Sequence, residues 1–126
     1  MIERMADMPE SVLAFSGSGQ ITSHDYETVV IPAVEALLAR QAKARVLFHL
    51  QADFSGFDAG AMWDDARMGL SHPTAWERVA LVTDEGWLKS AVRMLGFVLP
   101  GHVRVFETAE LAQARDWIVE DLPAAP

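Results

Sequence analysis

The sequence has no cysteine among its 126 residues. Disulfides, zinc-thiolate centres, iron–sulfur clusters and thiol nucleophiles are therefore excluded for this chain. It also has no apolar run approaching the roughly 20 residues that a membrane-spanning helix requires. The first ten residues, MIERMADMPE, alternate charged and apolar side chains and lack the pattern of a signal peptide. We therefore expect a cytoplasmic protein.

Basic side chains are scarce. Ten Lys and Arg face 18 Asp and Glu, which gives a formal net charge of −8. A surface of this sign repels phosphate backbones and anionic headgroups at long range, so we expect no nucleic-acid partner. Arg40, Lys43 and Arg45 form the only local basic group, and we interpret it as the solvated carboxyl end of the first helix.

No repeat, low-complexity tract or linker divides the chain, which predicts one domain over residues 1–120 and a loose tail over 121–126. Turn residues and hydrophobic spacing predict strands at 2–5, 12–19, 46–50, 79–82 and 103–106, and helices at 22–40, 58–70, 84–96 and from 108 onward. The order ββαβαβαβα indicates an α/β fold with a mixed, mostly parallel five-stranded sheet and four helices.

Several helix features follow from individual residues. Pro32 deletes a hydrogen bond inside the first helix and predicts a kink. Asp58, Asp84 and Thr108 are expected to cap the later helices. The helix at 58–70 is predicted to bury five residues, namely Ala59, Met62, Trp63, Ala66 and Gly69.

Three segments carry a resemblance to a known family: FDAGAMWDD at 57–65, ERVALVTD at 77–84 and GFVLPG at 96–101. With the element order, they resemble the SpoIIAA-like family, which shares its architecture with STAS domains and is similar to the lipid-binding CRAL-TRIO fold. The resemblance implies a non-enzymatic binding domain. In anti-sigma-factor antagonists a phosphorylatable serine precedes the glycine that opens the second helix. Ala59 occupies that position here, so no phosphorylation switch is implied.

The polar residues do not assemble a reaction centre. Asp58 and Asp65 lie two turns apart on one helix face while Asp64 points about 100° away, which favours a cap and a solvated acidic face over a cation site. The histidines, His24, His49, His72 and His102, show no metal or catalytic spacing. His49 is expected to be a hydrogen-bonded core residue, with pH sensing as the alternative. We expect neither a metal nor a cofactor.

The sequence has four Trp and six Met, which is more large apolar side chains than one sheet and four helices need. We call these side chains the surplus. On the helix after Asp84, Trp87, Met94 and Val98 form a second stripe beside the core stripe of Leu88, Ala91, Val92 and Leu95. We consider two uses for the surplus: completing an irregular core or dimer contact, and lining a cleft between the second and third helices.

The cleft hypothesis predicts that an apolar small molecule or lipid binds there, with transient membrane contact, and that the polar head meets Asp58. The predicted ligand-binding residues are Phe54, Phe57, Asp58, Trp63, Met68, Trp76, Trp87, Met94 and Phe97. The alternative is an interaction module that docks a regulatory protein or a second copy of the chain on the same surface.

Overall fold

The architecture is a mixed sheet. The computed structural model describes residues 1–6, 8–72, 74–95 and 102–121, without the side chains of Leu70 and Leu95. The strands are β1 (Ile2–Arg4), β2 (Val12–Gly17), β3 (Gln20–Ile21), β4 (Ala44–Leu50), β5 (Gly56–Phe57), β6 (Trp76–Val82) and β7 (His102–Phe106). Five of them form one sheet in the order β1-β2-β4-β6-β7, in which only β1 runs antiparallel. This confirms the predicted mixed, mostly parallel five-stranded sheet.

Helices cover both faces of the sheet. They are α1 (Ser23–Asp25), a π-helical turn (Tyr26–Val30), α2 (Ile31–Leu38), α3 (Ala59–Ser71), α4 (Gly86–Leu95), a 3-10 turn (Thr108–Glu110) and α5 (Leu111–Val119). One core cluster joins the sheet to the helices of residues 23–95, and a second joins its other face to α5. The central strands β4 and β6 are covered on both sides, which is why they read as apolar runs without alternation.

Where a kink is predicted at Pro32, the structure has a π-helical turn that ends just before this residue. The Ile31 N–H bonds to the Tyr26 carbonyl, five residues back. Pro32 lies in the first turn of α2 and has no N–H with which to continue the usual ladder. A π-helical turn is a recognised way to absorb such an interruption, so α1, the turn and α2 form one continuous first helix.

The inward face of α3 was predicted wrongly. Met62 and Trp63 are 57% and 65% exposed, and Ala59 and Ala66 are exposed as well. The residues that point inward are Ala61, Asp64 and Met68. Hydrophobic spacing predicts the wrong face because the inward face of α3 carries carboxylates. These carboxylates hydrogen-bond to the first helix.

Two of the predicted helix caps are also wrong. Asp84 precedes the start of α4 by two residues, and its carboxylate accepts hydrogen bonds from the backbone N–H and hydroxyl of Thr108. Those bonds lower the pKa of Asp84. Glu107, not Thr108, caps the last helical segment, in a reciprocal pair with Glu110. Because β6 and β7 run parallel, their carboxyl ends bring Asp84 and Thr108 together, a contact that local sequence does not reveal.

The three basic residues predicted to lie at a solvated helix end occupy two different environments. Arg40 and Lys43 are exposed, but Arg45 lies within β4 and is 7% exposed. Its guanidinium donates to the carbonyls of Ile118 (3.1 Å) and Glu120 (2.6 Å) and to the Glu77 carboxylate. A helix leaves its last carbonyls without partners, and here a strand arginine satisfies them at the end of α5.

Some predicted features fall on parts of the chain that lie outside the described residues. They are Phe97, Val98 and the tail from residue 122 onward.

Candidate binding surface

The carboxyl edge of the sheet is built from the segments that follow β2, β4 and β6. The small parallel pair of β3 and β5 joins the first two of these segments, with Gln20 opposite Gly56 and Ile21 opposite Phe57. A backbone bond from the Ser55 N–H to the Gly19 carbonyl (2.9 Å) extends this joint. The loop after β4 is therefore fixed in place where open α/β sheets hold their ligands.

Asp58 begins α3 as predicted. Its Oδ1 accepts from the backbone N–H of Ala61 (2.7 Å), which caps the helix, and from the N–H of Ser23 (3.2 Å). Asp64, which is buried, accepts from the Ser23 hydroxyl at 2.7 Å. The two carboxylates thus bind the start of the first helix to α3, which accounts for their presence without a ligand.

Asp65 completes the contact between these helices by accepting a 3.0 Å hydrogen bond from the Tyr26 hydroxyl. Burial raises the pKa of Tyr26 well above its usual value, and the charges of Asp65 and Asp64 raise it further. Tyr26 therefore remains a neutral donor. The predicted solvated acidic face is wrong for Asp64, because this carboxylate is buried and faces the first helix. Within the described ranges no three metal-binding side chains come together.

A small cleft opens at this edge, between the loop after β4 and the start of α4. It has a volume of about 120 Å³ and is lined by Phe54, Ser55, Gly56, Glu85 and Trp87. Phe54 forms a fixed wall, since it is buried and packs edge-on against Phe57 with ring centroids 5.2 Å apart. Trp87 forms the other wall and is 55% exposed.

Four large apolar side chains on α3 and α4 are more than half exposed: Met62, Trp63, Trp87 and Met94. We call this set the apolar helix surface. Trp87 and Met94, seven residues apart, were predicted as a second stripe on α4, and their exposure shows that the stripe lies outside the core. α3 packs mainly on the first helix, whereas α4 packs mainly on β7.

The predicted ligand-binding residues occupy several environments. Phe54 and Trp87 line the cleft, Phe57 lies half-buried behind it, and Asp58 caps α3. Trp63 and Met94 belong to the apolar helix surface. Trp76 is buried, with its indole N–H directed at the Gly69 carbonyl (3.4 Å), and Met68 packs on the same core.

Sequence reasoning missed three lining residues of the cleft: Ser55, Gly56 and Glu85. A signal for them existed. Ser55 and Gly56 follow the predicted strand β4, and Glu85 follows β6, its parallel neighbour. Segments that follow adjacent parallel strands meet at one sheet edge.

His49 is half-buried in β4, between Ser16 of β2 and Val82 of β6. Burial disfavours the charged imidazole and lowers its pKa from the ordinary 6.5. Between the lowered folded value and 6.5, the unfolded chain binds more protons than the folded one, so stability rises with pH in that window.

We therefore predict that the His49 contribution to stability is full above pH 6.5 and is lost as the pH falls through the lowered folded pKa. Urea unfolding of the wild type and His49→Gln, measured from about pH 7.5 to about pH 5, should show a steeper decline for the wild type. Parallel pH profiles for the two proteins would contradict this assignment.

In the part of the chain that the structure describes, no helix has the length and apolar character needed to span a bilayer.

Comparison with known proteins gives a family. The SpoIIAA-like family model matches residues 12–119. A crystal structure of an uncharacterized protein from Shewanella loihica with a SpoIIAA-like fold superposes with a TM-score of 0.72, at 27% sequence identity and over 93% of each chain. No curated protein matches the chain. The family match spans both central strands, the candidate surface and α5, and the chain therefore belongs to the SpoIIAA-like family.

Proposed function

We propose that this protein is a non-enzymatic, cytoplasmic binding module that docks a protein partner through the apolar helix surface. The observation that supports the proposal is the exposure of two Trp and two Met side chains on α3 and α4. Trp is the residue type most enriched among interface hot spots, and Met is also enriched at interfaces. The carboxylates of Asp58 and Asp64 form hydrogen bonds between helices, which favours a binding role over catalysis.

The small volume of the cleft also favours docking on an open surface over enclosure of a small-molecule ligand. Pockets that enclose a small molecule measure roughly 300–1,000 Å³, whereas the cleft beside Trp87 measures about 120 Å³. It has no room for a whole lipid. The family relationship supports a STAS-like regulatory role, and Ala59 in place of a phosphorylatable serine implies docking of an unmodified surface.

The test is site-specific photo-crosslinking of the full chain in cells of its source organism. A photoreactive phenylalanine analogue at Met62 should give a discrete adduct, and Trp63→Ala should lower its yield about tenfold, since a hot-spot tryptophan contributes more than about 1.4 kcal/mol. The matched control places the same probe at Gln113, which is exposed on α5 across the sheet.

The adducts at Met62 and Gln113 are compared to interpret the crosslinking experiment. Equal adducts from Met62 and Gln113, or none from Met62, would contradict the proposal. An adduct of twice the chain's mass would identify the partner as a second copy. Trp63→Ala should leave the thermal midpoint unchanged, because Trp63 is 65% exposed and contributes little to the core.

A second candidate is transient binding of lipid or another apolar small molecule at a membrane surface. The exposed indoles of Trp63 and Trp87 favour it, since tryptophan side chains concentrate at the bilayer interface. With a net charge of −8, such binding would be hydrophobic and would persist at high salt. Phosphatidylcholine vesicles should then shift the tryptophan emission to the blue, and a flat titration would contradict this candidate.

A further inference from the structure

We propose that the cleft between Phe54 and Trp87 is a binding site for an organic cation, an alkylammonium or guanidinium group. The site goes beyond the docking function because its ligand is a small cation, and it shares only Trp87 with the apolar helix surface. Two aromatic residues, Phe54 and Trp87, line it together with Glu85. Aromatic rings attract a positive charge by cation–π interaction, and a carboxylate attracts it by ion pairing.

The carboxylate of Glu85 is available for this role. The backbone N–H of Glu85 bonds to the Thr83 hydroxyl, which fixes the residue at the mouth of the cleft. Among the described residues, the Glu85 carboxylate has neither a hydrogen bond nor a salt bridge. The nearest basic residue in sequence, Lys89, directs its Nζ towards Glu107 at 4.0 Å instead.

The charge around the cleft also favours a cation. Asp53 and Asp84 are exposed in the same two loops, and neither loop contains a basic residue. The amino end of α4 opposes a cation with a partial charge of about +0.5. The carboxylate of Asp84 is bonded to Thr108 and lies near Lys89, so the charge that opposes the helix end is that of Glu85, a full negative charge against a partial positive one.

The walls suit a compact head group better than a chain. Phe54 is held in place by Phe57, and Trp87 presents more than half of its surface to solvent beside it. A cation over the face of Trp gains most of its attraction within about 6 Å of the ring centroid. A volume of about 120 Å³ holds such a head and excludes a long apolar tail.

The test is an NMR titration of the full chain with tetramethylammonium chloride, in parallel with tert-butanol, a neutral molecule of similar shape. Tetramethylammonium should saturably shift the indole N–H of Trp87 and the amides of Gly56 and Glu85, whereas tert-butanol should not. Glu85→Gln and Trp87→Leu should each weaken the interaction about tenfold. Trp63→Leu, which removes an exposed tryptophan outside the cleft, should leave it unchanged.

Two results would overturn the site: equal shifts with tert-butanol, or a titration with tetramethylammonium that Glu85→Gln leaves unaltered. Folding of each variant is checked from the dispersion of the same spectra. A further titration distinguishes the source of the cation. A short peptide with one trimethyllysine that binds more tightly than tetramethylammonium would identify a protein side chain, and equal affinities would identify a free amine.

Discussion

Replacing Arg45 with methionine should lower the free energy of unfolding by about 3 kcal/mol. Arg45 is almost fully buried in the central strand β4, and its guanidinium binds the carbonyls of Ile118 and Glu120 at the end of α5. Methionine preserves much of the side-chain volume but donates no hydrogen bond. Buried carbonyls then lose their partners, and Glu77 loses the cation that it contacts.

The matched control is Arg40→Met. Arg40 is exposed and donates to the Glu10 carbonyl from the surface, so its loss should cost less than about 1 kcal/mol. Urea unfolding monitored by far-UV circular dichroism measures both variants. Equal losses for Arg40→Met and Arg45→Met would mean that the buried carbonyls at the end of α5 do not depend on Arg45.

The order of strands and helices along the chain was predictable because the relevant signals are local. The cores of β4 and β6 are uninterrupted apolar runs, and each connection between the parallel strands contains one helical pattern. Parallel strands need such crossovers, which left few topologies to consider. The two-residue strands β3 and β5 escaped prediction because each is too short to show a period.

The orientation of α3 was not predictable from hydrophobicity. Asp64 and Asp65 point towards Ser23 and Tyr26, about 40 residues away in sequence. Such a pairing exists only after the helices have packed, so a hydrophobic count places these carboxylates in water. On α4 helical spacing separates the buried Leu88 from the exposed Trp87 and Met94, but Ala91, which was predicted in the core stripe, is exposed.

The candidate surface was therefore anticipated in composition and only partly in geometry. Two of the four indoles, those of Trp63 and Trp87, are more than half exposed, while Trp76 is buried and Trp117 is half-buried. The surplus of apolar side chains thus exists on the surface. The cleft at Trp87 is formed by two loops that are distant in sequence, and its lining residue Glu85 is the basis of the proposed cation site.

The contact between α3 and the first helix requires a glycine at position 60, and two substitutions within α3 test this requirement. A Cβ added at Gly60 would lie 2.7 Å from the Ser23 Cβ, which is closer than such atoms can approach. The Ser23 Cβ is attached directly to the backbone, so one helix must move. We expect Gly60→Ala to lower the free energy of unfolding by about 2 kcal/mol.

Gly69→Ala, in the same helix, should have the opposite effect. Nothing lies within 4 Å of a Cβ at Gly69, so alanine meets no obstacle and restricts the unfolded chain. A gain of roughly 0.5–1 kcal/mol is expected. Urea unfolding of the two variants should therefore bracket the wild type. If Gly60→Ala were as stable as Gly69→Ala, the close approach of α3 to Ser23 would not exist, and the hydrogen bonds of Asp58 and Asp64 to Ser23 would need another geometry.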